Sequence, residues 1–399
     1  MVAQKAPGGA GVCAAVPEAR AGVHRALNPV RLNGPMTPHA DTPPPGAEGW
    51  QPDILGAGFE QRRLALPGGA RATLVRAVPG AGGSPASPAA GAQAPAAGCA
   101  VLHLHGWSDY LYHAHLADFW TARGAAFYAL DLRDYGRNLD PTDRSQRPGY
   151  IANLADYDEE IAAALAIIRS EHRDADTAGP GPRLVLSGHS TSGLTAALWA
   201  HRHPGATAAL VLNAPWLEFQ YTSAARKLLG PLLGTRRPAA GRAWSGSTAA
   251  GRTAARGPLP VRMPNYYTLA ASQNHGAPPY DLALKPPQSF PVHAAWLRAV
   301  FAGHRQVERG LDIDAPVLVQ TSARSLRRLR YDAAMGSADI ILDVEAIARR
   351  AVGLGPLVTI ERIPGAVHDV FLSAPAAVER AFAGLDRFAR GYLAPASGA

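Results

Sequence analysis

Residues 188–193 read Gly188-His189-Ser190-Thr191-Ser192-Gly193, and this stretch decides the fold. The apolar run Arg183-Leu184-Val185-Leu186 precedes it, and a helix-like stretch over 194–203 follows it. A strand, a turn of the form G-x-S-x-G and a helix are typical of a nucleophile elbow, which holds a serine hydroxyl clear of the backbone. The pattern departs from this form at Ser192, which stands where glycine is expected. It predicts Ser190 as a nucleophile; the alternative is an ordinary Ser/Gly turn between strand and helix.

Short apolar runs alternate with helical patterns on both sides of this turn. We predict strands over 59–66, 72–78, 100–104, 125–130, 184–186, 208–212, 316–320 and 357–363. We predict helices over 113–123, 150–172, 345–352 and 376–392. Strands that alternate with helices indicate βαβ units and a mostly parallel sheet covered by helices on both faces. The predicted fold class is α/β.

The chain of 399 residues, 47% of them hydrophobic, is long enough for one large core or two modest ones. Residues 1–49 are rich in Ala, Gly and Pro and lack apolar periodicity, so we expect a disordered extension, with either Met1 or Met36 as the start. The strand and helix alternation breaks over 214–311. We therefore expect an α/β core over 50–213 and 312–395, and a lid over 214–311 inserted above the carboxyl edge of its sheet.

Two features bear on the compartment. Cys13 and Cys99 are the two cysteines, too few for a disulfide framework, which favours a reducing environment. No run of about 18 or more apolar residues predicts a transmembrane helix, and the N-terminus lacks the pattern of a signal peptide. We expect a cytoplasmic protein, and the oligomeric state is left open.

The net charge of +8 has a location. Residues 221–265 hold eight Lys and Arg and no Asp or Glu, so the rest of the chain nearly balances. One interpretation is a solvated loop; the other is a basic cover that attracts anionic lipid headgroups, fatty-acid carboxylates or a membrane surface. No aromatic-basic motif accompanies the charge, so nucleic acid is not an expected partner.

A serine nucleophile needs a base that is oriented by a third group. His368 follows the final predicted strand and is the candidate base, because a loop at that strand end faces the elbow. The acid should follow the strand at 316–320. Asp339 is the first choice, although a long basic segment separates it from the strand; Asp343 and then Asp332 are the alternatives.

A tetrahedral intermediate also needs N–H donors aimed at its oxyanion. One candidate is the backbone N–H of Thr191, directly after the nucleophile. The second is the N–H of Trp107, in the His105-Gly106-Trp107-Ser108 loop that follows an early buried strand.

Two arginines, Arg133 and Arg137, follow the next strand. One interpretation makes either arginine a substrate contact; we prefer the other, in which Asp131 and the arginines brace the loops around the site. The sequence holds no phosphate loop, metal-spaced His/Cys cluster or dinucleotide fingerprint, so neither a metal nor any other cofactor is implied.

These motifs together resemble the α/β-hydrolase superfamily, most of all the lysophospholipase and monoacylglycerol-lipase-like group filed with the S33 serine aminopeptidases. The matching segments are His105-Gly106, residues 131–137, the elbow at 188–191, residues 337–339 and residues 365–369. The resemblance implies Ser190 as nucleophile, His368 as base and Asp339 as acid, with Trp107 and Thr191 forming the oxyanion hole.

Three functions follow as hypotheses. An esterase or lipase would use Ser190 to form an acyl-enzyme from a small acyl ester. An S33-type aminopeptidase would need carboxylates in its lid to hold an ammonium group, and there Glu218 and Asp281 merely flank the cationic stretch. A binding protein on a hydrolase scaffold should have lost a triad member, and each has a candidate here. Charge and motifs favour the esterase.

Overall fold

The computed structural model describes residues 49–78, 94–140, 142–143, 145–172, 181–219, 280–328 and 332–395. Most of the predicted N-terminal extension and the whole basic stretch 221–265 lie outside these residues, so those predictions stay open. None of the helices in the described ranges is both long and apolar enough to cross a membrane.

A nine-stranded sheet runs through the described residues in the order β1-β2-β3-β5-β4-β6-β7-β8-β9. The strands are β1 Gln51–Pro52, β2 Phe59–Ala65, β3 Arg71–Ala77, β4 Cys99–Leu104, β5 Ala126–Asp131, β6 Arg183–His189, β7 Ala209–Asn213, β8 Val317–Ser322 and β9 Val358–Ile363. The first three pair antiparallel, and β3 also pairs antiparallel with β5. From β5 to β9 every pairing is parallel, which places all the carboxyl ends of these strands at one edge.

Helices cover both faces of the sheet. They are α1 Ala114–Thr121, α2 Asp158–Glu171, α3 Thr191–Arg202, α4 Ala294–Arg309, α5 Val344–Ala351 and α6 Pro375–Tyr392. Successive side chains of a strand point to opposite faces, so in β4 Leu102 joins the core with α2 to α5 while Val101 joins the core with α1 and α6. Each fully buried side chain of this kind contributes about 1.5–3 kcal/mol to stability. The predicted α/β class is confirmed.

The predicted helix over 150–172 begins too early. The structure has a 3-10 helix at Leu154–Tyr157 and then α2, and Asn153 caps the start by accepting the Ala155 N–H. The preceding Gly149 has φ +69°, and a Cβ there would lie 2.7 Å from the Trp107 ring. The chain before Asn153 is therefore held in a turn against the loop after β4 and does not join the helix.

Helix α4 lies inside the stretch that lacked a predicted alternation. It packs against α3, where Gly303 lets the two helices approach: a Cβ there would lie 2.9 Å from Leu198 and 3.2 Å from Leu194. Its buried residues Trp296, Val300 and Val307 are spaced four and seven residues apart, a helical pattern that could have been read from the sequence. The limits of the lid, most of which falls outside the described residues, stay a prediction.

Candidate active site

Ser190 occupies a strained turn between β6 and α3. Its backbone has φ 52° and ψ −115°, a conformation that costs a non-glycine residue about 1–3 kcal/mol and persists only where the surroundings enforce it. Three hydrogen bonds do so: Ser190 N–H donates to Asn213 O at 2.9 Å, and Ser190 O accepts from Gly193 N at 3.0 Å and Trp216 N at 2.9 Å. The turn therefore holds the hydroxyl at the carboxyl edge of the sheet.

The close contacts of this turn lie at two glycines. A Cβ at Gly188 would lie 2.5 Å from the carbonyl oxygen of Ser192, and a Cβ at Gly193 would lie 2.6 Å from Pro215 Cβ. Ser192, which departs from the G-x-S-x-G pattern, is buried at the start of α3. The turn thus has no room for a side chain at positions 188 and 193, whereas it accommodates the serine side chain at position 192.

A hydrogen-bonded relay joins Ser190 to two residues far along the chain. His368 Nε2 lies 2.9 Å from Ser190 Oγ, and His368 Nδ1 lies 2.8 Å from Asp339 Oδ2. The other carboxylate oxygen of Asp339 accepts the backbone N–H groups of Ile341 at 2.8 Å and Leu342 at 2.7 Å. Asp339 is fully buried, so its orientation is set on both oxygens.

Backbone pairing returns Asp339 to the sheet edge in spite of the long segment before it. Asp339 N–H donates to Arg324 O at 3.0 Å, and Asp339 O accepts from Leu326 N at 2.9 Å. Ser325 and Asp339 form an isolated parallel bridge just beyond β8. The basic segment therefore starts and ends at the same place in the fold, because residues 324–326 pair with Asp339.

The two alternative acids cap helices. Asp343 accepts the N–H groups of Glu345 at 3.0 Å and Ala346 at 3.1 Å at the start of α5. Asp332 accepts the N–H of Ala334 at 2.9 Å and caps a 3-10 helix. The imidazole of His368 is hydrogen-bonded to Asp339 and Ser190, and neither Asp343 nor Asp332 is hydrogen-bonded to it.

The loop after β4 lies against the elbow. A Cβ at Gly106 would lie 3.4 Å from Ser190 Cβ and 2.8 Å from His189 Cδ2, so glycine permits this approach. Leu132 N–H donates to His105 Nε2 at 3.1 Å, which leaves the proton on Nδ1 to donate to Gly106 O at 2.7 Å. His105 thereby ties the loop to β5.

The two proposed oxyanion donors flank Ser190. Thr191 is the first residue of α3, and the first N–H groups of a helix have no acceptor within the helix. Trp107 directly follows Gly106, the residue that lies against Ser190. Donation of the Thr191 and Trp107 backbone N–H groups to an oxyanion therefore stays a prediction.

Arg133 and Arg137 are engaged in buried ion pairs. Arg133 pairs with Glu160 of α2, which is fully buried. Arg137 contacts Asp53 at 2.6 Å and Asp131 at 2.8 Å, with all three side chains at most 3% exposed. This arrangement agrees with the interpretation of the arginines as braces.

A buried polar group beside His368 was not found from the sequence. Asp369 Oδ1 accepts Asn213 Nδ2–H at 2.7 Å, and Asp369 Oδ2 lies 3.3 Å from His113 Nε2 and 4.0 Å from His189 Nε2. Burial opposes ionisation of Asp369, yet these neighbours hold its pKa well below the usual range. Burial lowers the pKa of His113 to about 4, so its imidazole is neutral at neutral pH.

This group ties the base loop to the elbow. Asn213 ends β7; its carbonyl oxygen accepts Ser190 N–H, and its side chain contacts both Asp369 and the N–H of Val370. His189 directly precedes Ser190 and Asp369 directly follows His368 in the sequence. This adjacency could have indicated that both residues lie at the site.

Comparison with known proteins gives the same fold. The family model for serine aminopeptidase, S33, matches residues 94–253. No curated protein matches the chain by sequence.

The chain is similar to many solved structures, among them the following two. Monoglyceride lipase from Saccharomyces cerevisiae, a soluble variant in complex with a substrate analogue, is 14% identical; the match has a TM-score of 0.52 and covers 83% of this chain and 94% of that one. DcsB in complex with its substrate analogue is 16% identical, with a TM-score of 0.51 and coverage of 84% and 99%. At these identities the likeness concerns the fold. The sheet order, the strained elbow and the matched family model agree with an α/β-hydrolase fold.

Proposed function

We propose that this hydrolase cleaves carboxylic esters through an acyl-enzyme on Ser190. The observation that carries the proposal is the relay in which His368 Nε2 lies 2.9 Å from Ser190 Oγ and His368 Nδ1 lies 2.8 Å from Asp339 Oδ2. Both distances are within hydrogen-bond reach, which a base needs to activate a serine hydroxyl.

In the first half-reaction Ser190 Oγ attacks the ester carbonyl carbon while its proton passes to His368 Nε2. The oxyanion forms near the N–H groups of Trp107 and Thr191, which would stabilise it. His368 then donates the proton to the leaving alkoxide, the alcohol departs, and Ser190 carries the acyl group. Asp339 accepts the Nδ1–H of His368 and so keeps the imidazole in the tautomer that this step requires.

In the second half-reaction water takes the place of the alcohol. His368 removes one proton from water as its oxygen attacks the acyl carbon, and the second tetrahedral intermediate collapses with return of that proton to Ser190. A carboxylic acid leaves and the free enzyme is restored.

An aminopeptidase, the activity in the name of the matched family model, is the second candidate. Such an enzyme needs a carboxylate to receive the substrate ammonium group. Glu218 already pairs with Arg350 of α5, whose Nε lies 2.7 Å away, and Asp281 accepts the N–H of Ala283 at 2.7 Å. These engagements favour neutral or anionic acyl substrates over cationic ones.

Monoacylglycerols and lysophospholipids are the first ester classes to test. One structural relative is a monoglyceride lipase, and the cationic stretch 221–265 would attract anionic headgroups. Contact of that stretch with an anionic lipid surface is a part of the proposal that rests on the sequence alone.

A fluorophosphonate probe tests the nucleophile. The wild type and Ser192→Ala, a matched control that keeps Ser190, should both be labelled, and Ser190→Ala should not. Equal labelling of Ser190→Ala would contradict the assignment. Absence of labelling in the wild type would favour a binding protein.

A substrate panel then tests the reaction class. We expect hydrolysis of esters graded by acyl-chain length, and little of aminoacyl amides. Faster cleavage of the amides would overturn the esterase proposal in favour of the aminopeptidase.

A further inference from the structure

Residues 281–289, in the C-terminal part of the predicted lid, are hydrogen-bonded to the loop after β4 at three points. Trp107 Nε1–H donates to Ser289 Oγ at 2.7 Å, Lys285 Nζ–H donates to Asp109 Oδ1 at 2.6 Å, and Asp281 N–H donates to the hydroxyl of Tyr110 at 2.7 Å. The loop residues 107–110, which include the proposed oxyanion donor, are thus fixed by hydrogen bonds at Trp107, Asp109 and Tyr110.

The ion pair is the strongest of these anchors. The side chain of Asp109 is 3% exposed and that of Lys285 is 15% exposed, so both charges are largely removed from water. Lys285 also donates to the hydroxyl of Tyr112 at 3.0 Å and lies 4.6 Å from the centre of that ring. Burial would raise the pKa of Asp109, but the Lys285 charge, with smaller effects of His113 and His189, lowers it to about 2. Removal of the lysine alone would leave a buried carboxylate without its main partner, which is strongly unfavourable.

The loop between these anchors is strained. Ser108 has φ 52°, and its buried hydroxyl has no hydrogen-bond partner among the residues that the structure describes. Across the contact, Ser289 has φ 64°. Non-glycine residues keep such backbone angles only where neighbouring contacts enforce them. The three hydrogen bonds to residues 281–289 are contacts of this kind. Without them, we expect the backbone at Ser108 to relax to an unstrained conformation.

We propose that Lys285 is a positioning residue that, through Asp109, holds the Trp107 N–H against the elbow where an oxyanion forms. The proposal deepens the esterase function and rests on it. Lys285 is hydrogen-bonded to Asp109 and Tyr112 and not to Ser190 or His368. Its loss should therefore alter the oxyanion hole while the Ser190–His368–Asp339 relay stays in place.

Four variants separate this role from a contribution to folding alone. Lys285→Met keeps the length of the side chain and removes the charge, Lys285→Arg restores a cation, and Asp109→Asn with Lys285→Met removes both charges. Arg133→Met is the matched control, because it breaks another buried ion pair, whose hydrogen bonds go to α2 and the residues just before it. For each variant, kcat and KM on the best ester, the melting temperature and the Ki of a trifluoromethyl ketone are measured.

A lost oxyanion-hole donor costs about 10²–10³-fold in kcat. We expect Lys285→Met to lower kcat about 100-fold with KM within threefold, and to raise the Ki of the ketone by a similar factor, since its hemiketal places an oxyanion in the same hole. Lys285→Arg should recover at least a tenth of the wild-type kcat, and the double variant should exceed Lys285→Met. Arg133→Met should lower the melting temperature while kcat stays within threefold.

The proposal is overturned if Lys285→Met keeps the wild-type kcat, or if kcat in all variants follows melting temperature alone. Should Lys285→Met fail to fold, the double variant, which buries no unpaired charge, decides: wild-type kcat and Ki in that variant would overturn the proposal. Failure of the esterase function would be seen separately, as absence of ester hydrolysis and of ketone inhibition in the wild type.

Discussion

Gly188→Ala tests whether the geometry of the elbow limits the activity. Its Cβ would lie 2.5 Å from the carbonyl oxygen of Ser192, 2.8 Å from the carbonyl carbon of Ser192 and 3.0 Å from Gly193 N. All three atoms belong to the backbone at the start of α3, so no flexible side chain can move aside. The shortest contact is about 0.9 Å below the 3.4 Å at which ordinary contact begins.

The methyl group must therefore push the start of α3 away from β6. Overpacking of this kind costs about 1–3 kcal/mol, and each kcal/mol lowers the melting temperature of a domain of this size by about 2 °C. Ser190 stands between the two elements that separate. A displacement of about 1 Å at a reacting group costs about 100-fold in rate, so we expect the rate constant of fluorophosphonate labelling to fall by that factor.

Gly391→Ala is the matched control. Gly188 lies in strand β6, whereas Gly391 lies in helix α6. A Cβ at Gly391 would meet no atom within 4 Å, and alanine in a helix is favoured over glycine by up to about 1 kcal/mol. We expect wild-type labelling and an unchanged or slightly raised melting temperature. Wild-type labelling and stability in Gly188→Ala would refute the steric reasoning.

Three further predictions concern carboxylates. Asp339→Asn should lower ester hydrolysis about 10⁴-fold, whereas Asp343→Asn should stay within threefold of wild type because asparagine caps a helix equally well; the reverse order would exchange the two assignments. Arg133→Met strands the buried Glu160 and should lower the free energy of unfolding by about 3–5 kcal/mol in urea titration; no loss would show the pair to be neutral. The pKa of Asp109 is lowered to about 2 from about 3.9 in the unfolded chain, so its contribution to stability is present above about pH 4 and is lost toward pH 2. Circular dichroism during acid titration should therefore show a less steep loss of stability in Asp109→Asn, and identical titrations would contradict this.

Local pattern was sufficient for most of the sheet. Seven of the eight predicted strands match an observed strand to within two residues at both ends, and the observed β6 extends beyond both ends of its prediction. A buried parallel strand is a short apolar run between turns, and this signal needs no knowledge of the partner strand. The two-residue β1 is too short to carry such a signal. Helix α2 began later than predicted because apolar spacing continued into a turn held by tertiary contact.

The candidate triad was also predictable, for a different reason. Ser190 directly follows β6, and His368 lies in the loop that follows β9, five residues after its end. Chain order within the fold therefore restricts the choice of both residues. Asp339 was harder, because the chain leaves β8 and returns through backbone pairing with Ser325. Such pairing joins residues that are not neighbours in any periodic pattern.

The sequence by itself determined the α/β class, the elbow and three residues in the right order, because burial periodicity and small-residue turns are properties of short segments. The tertiary structure alone decided which carboxylate faces His368, how Asn213 and Asp369 tie the base loop to the elbow, and how Lys285 meets Asp109. These contacts join segments up to 176 residues apart, as between Lys285 and Asp109. Their partners are selected by loop closure and by the cost of burying an unpaired charge, and neither quantity can be read from a single segment.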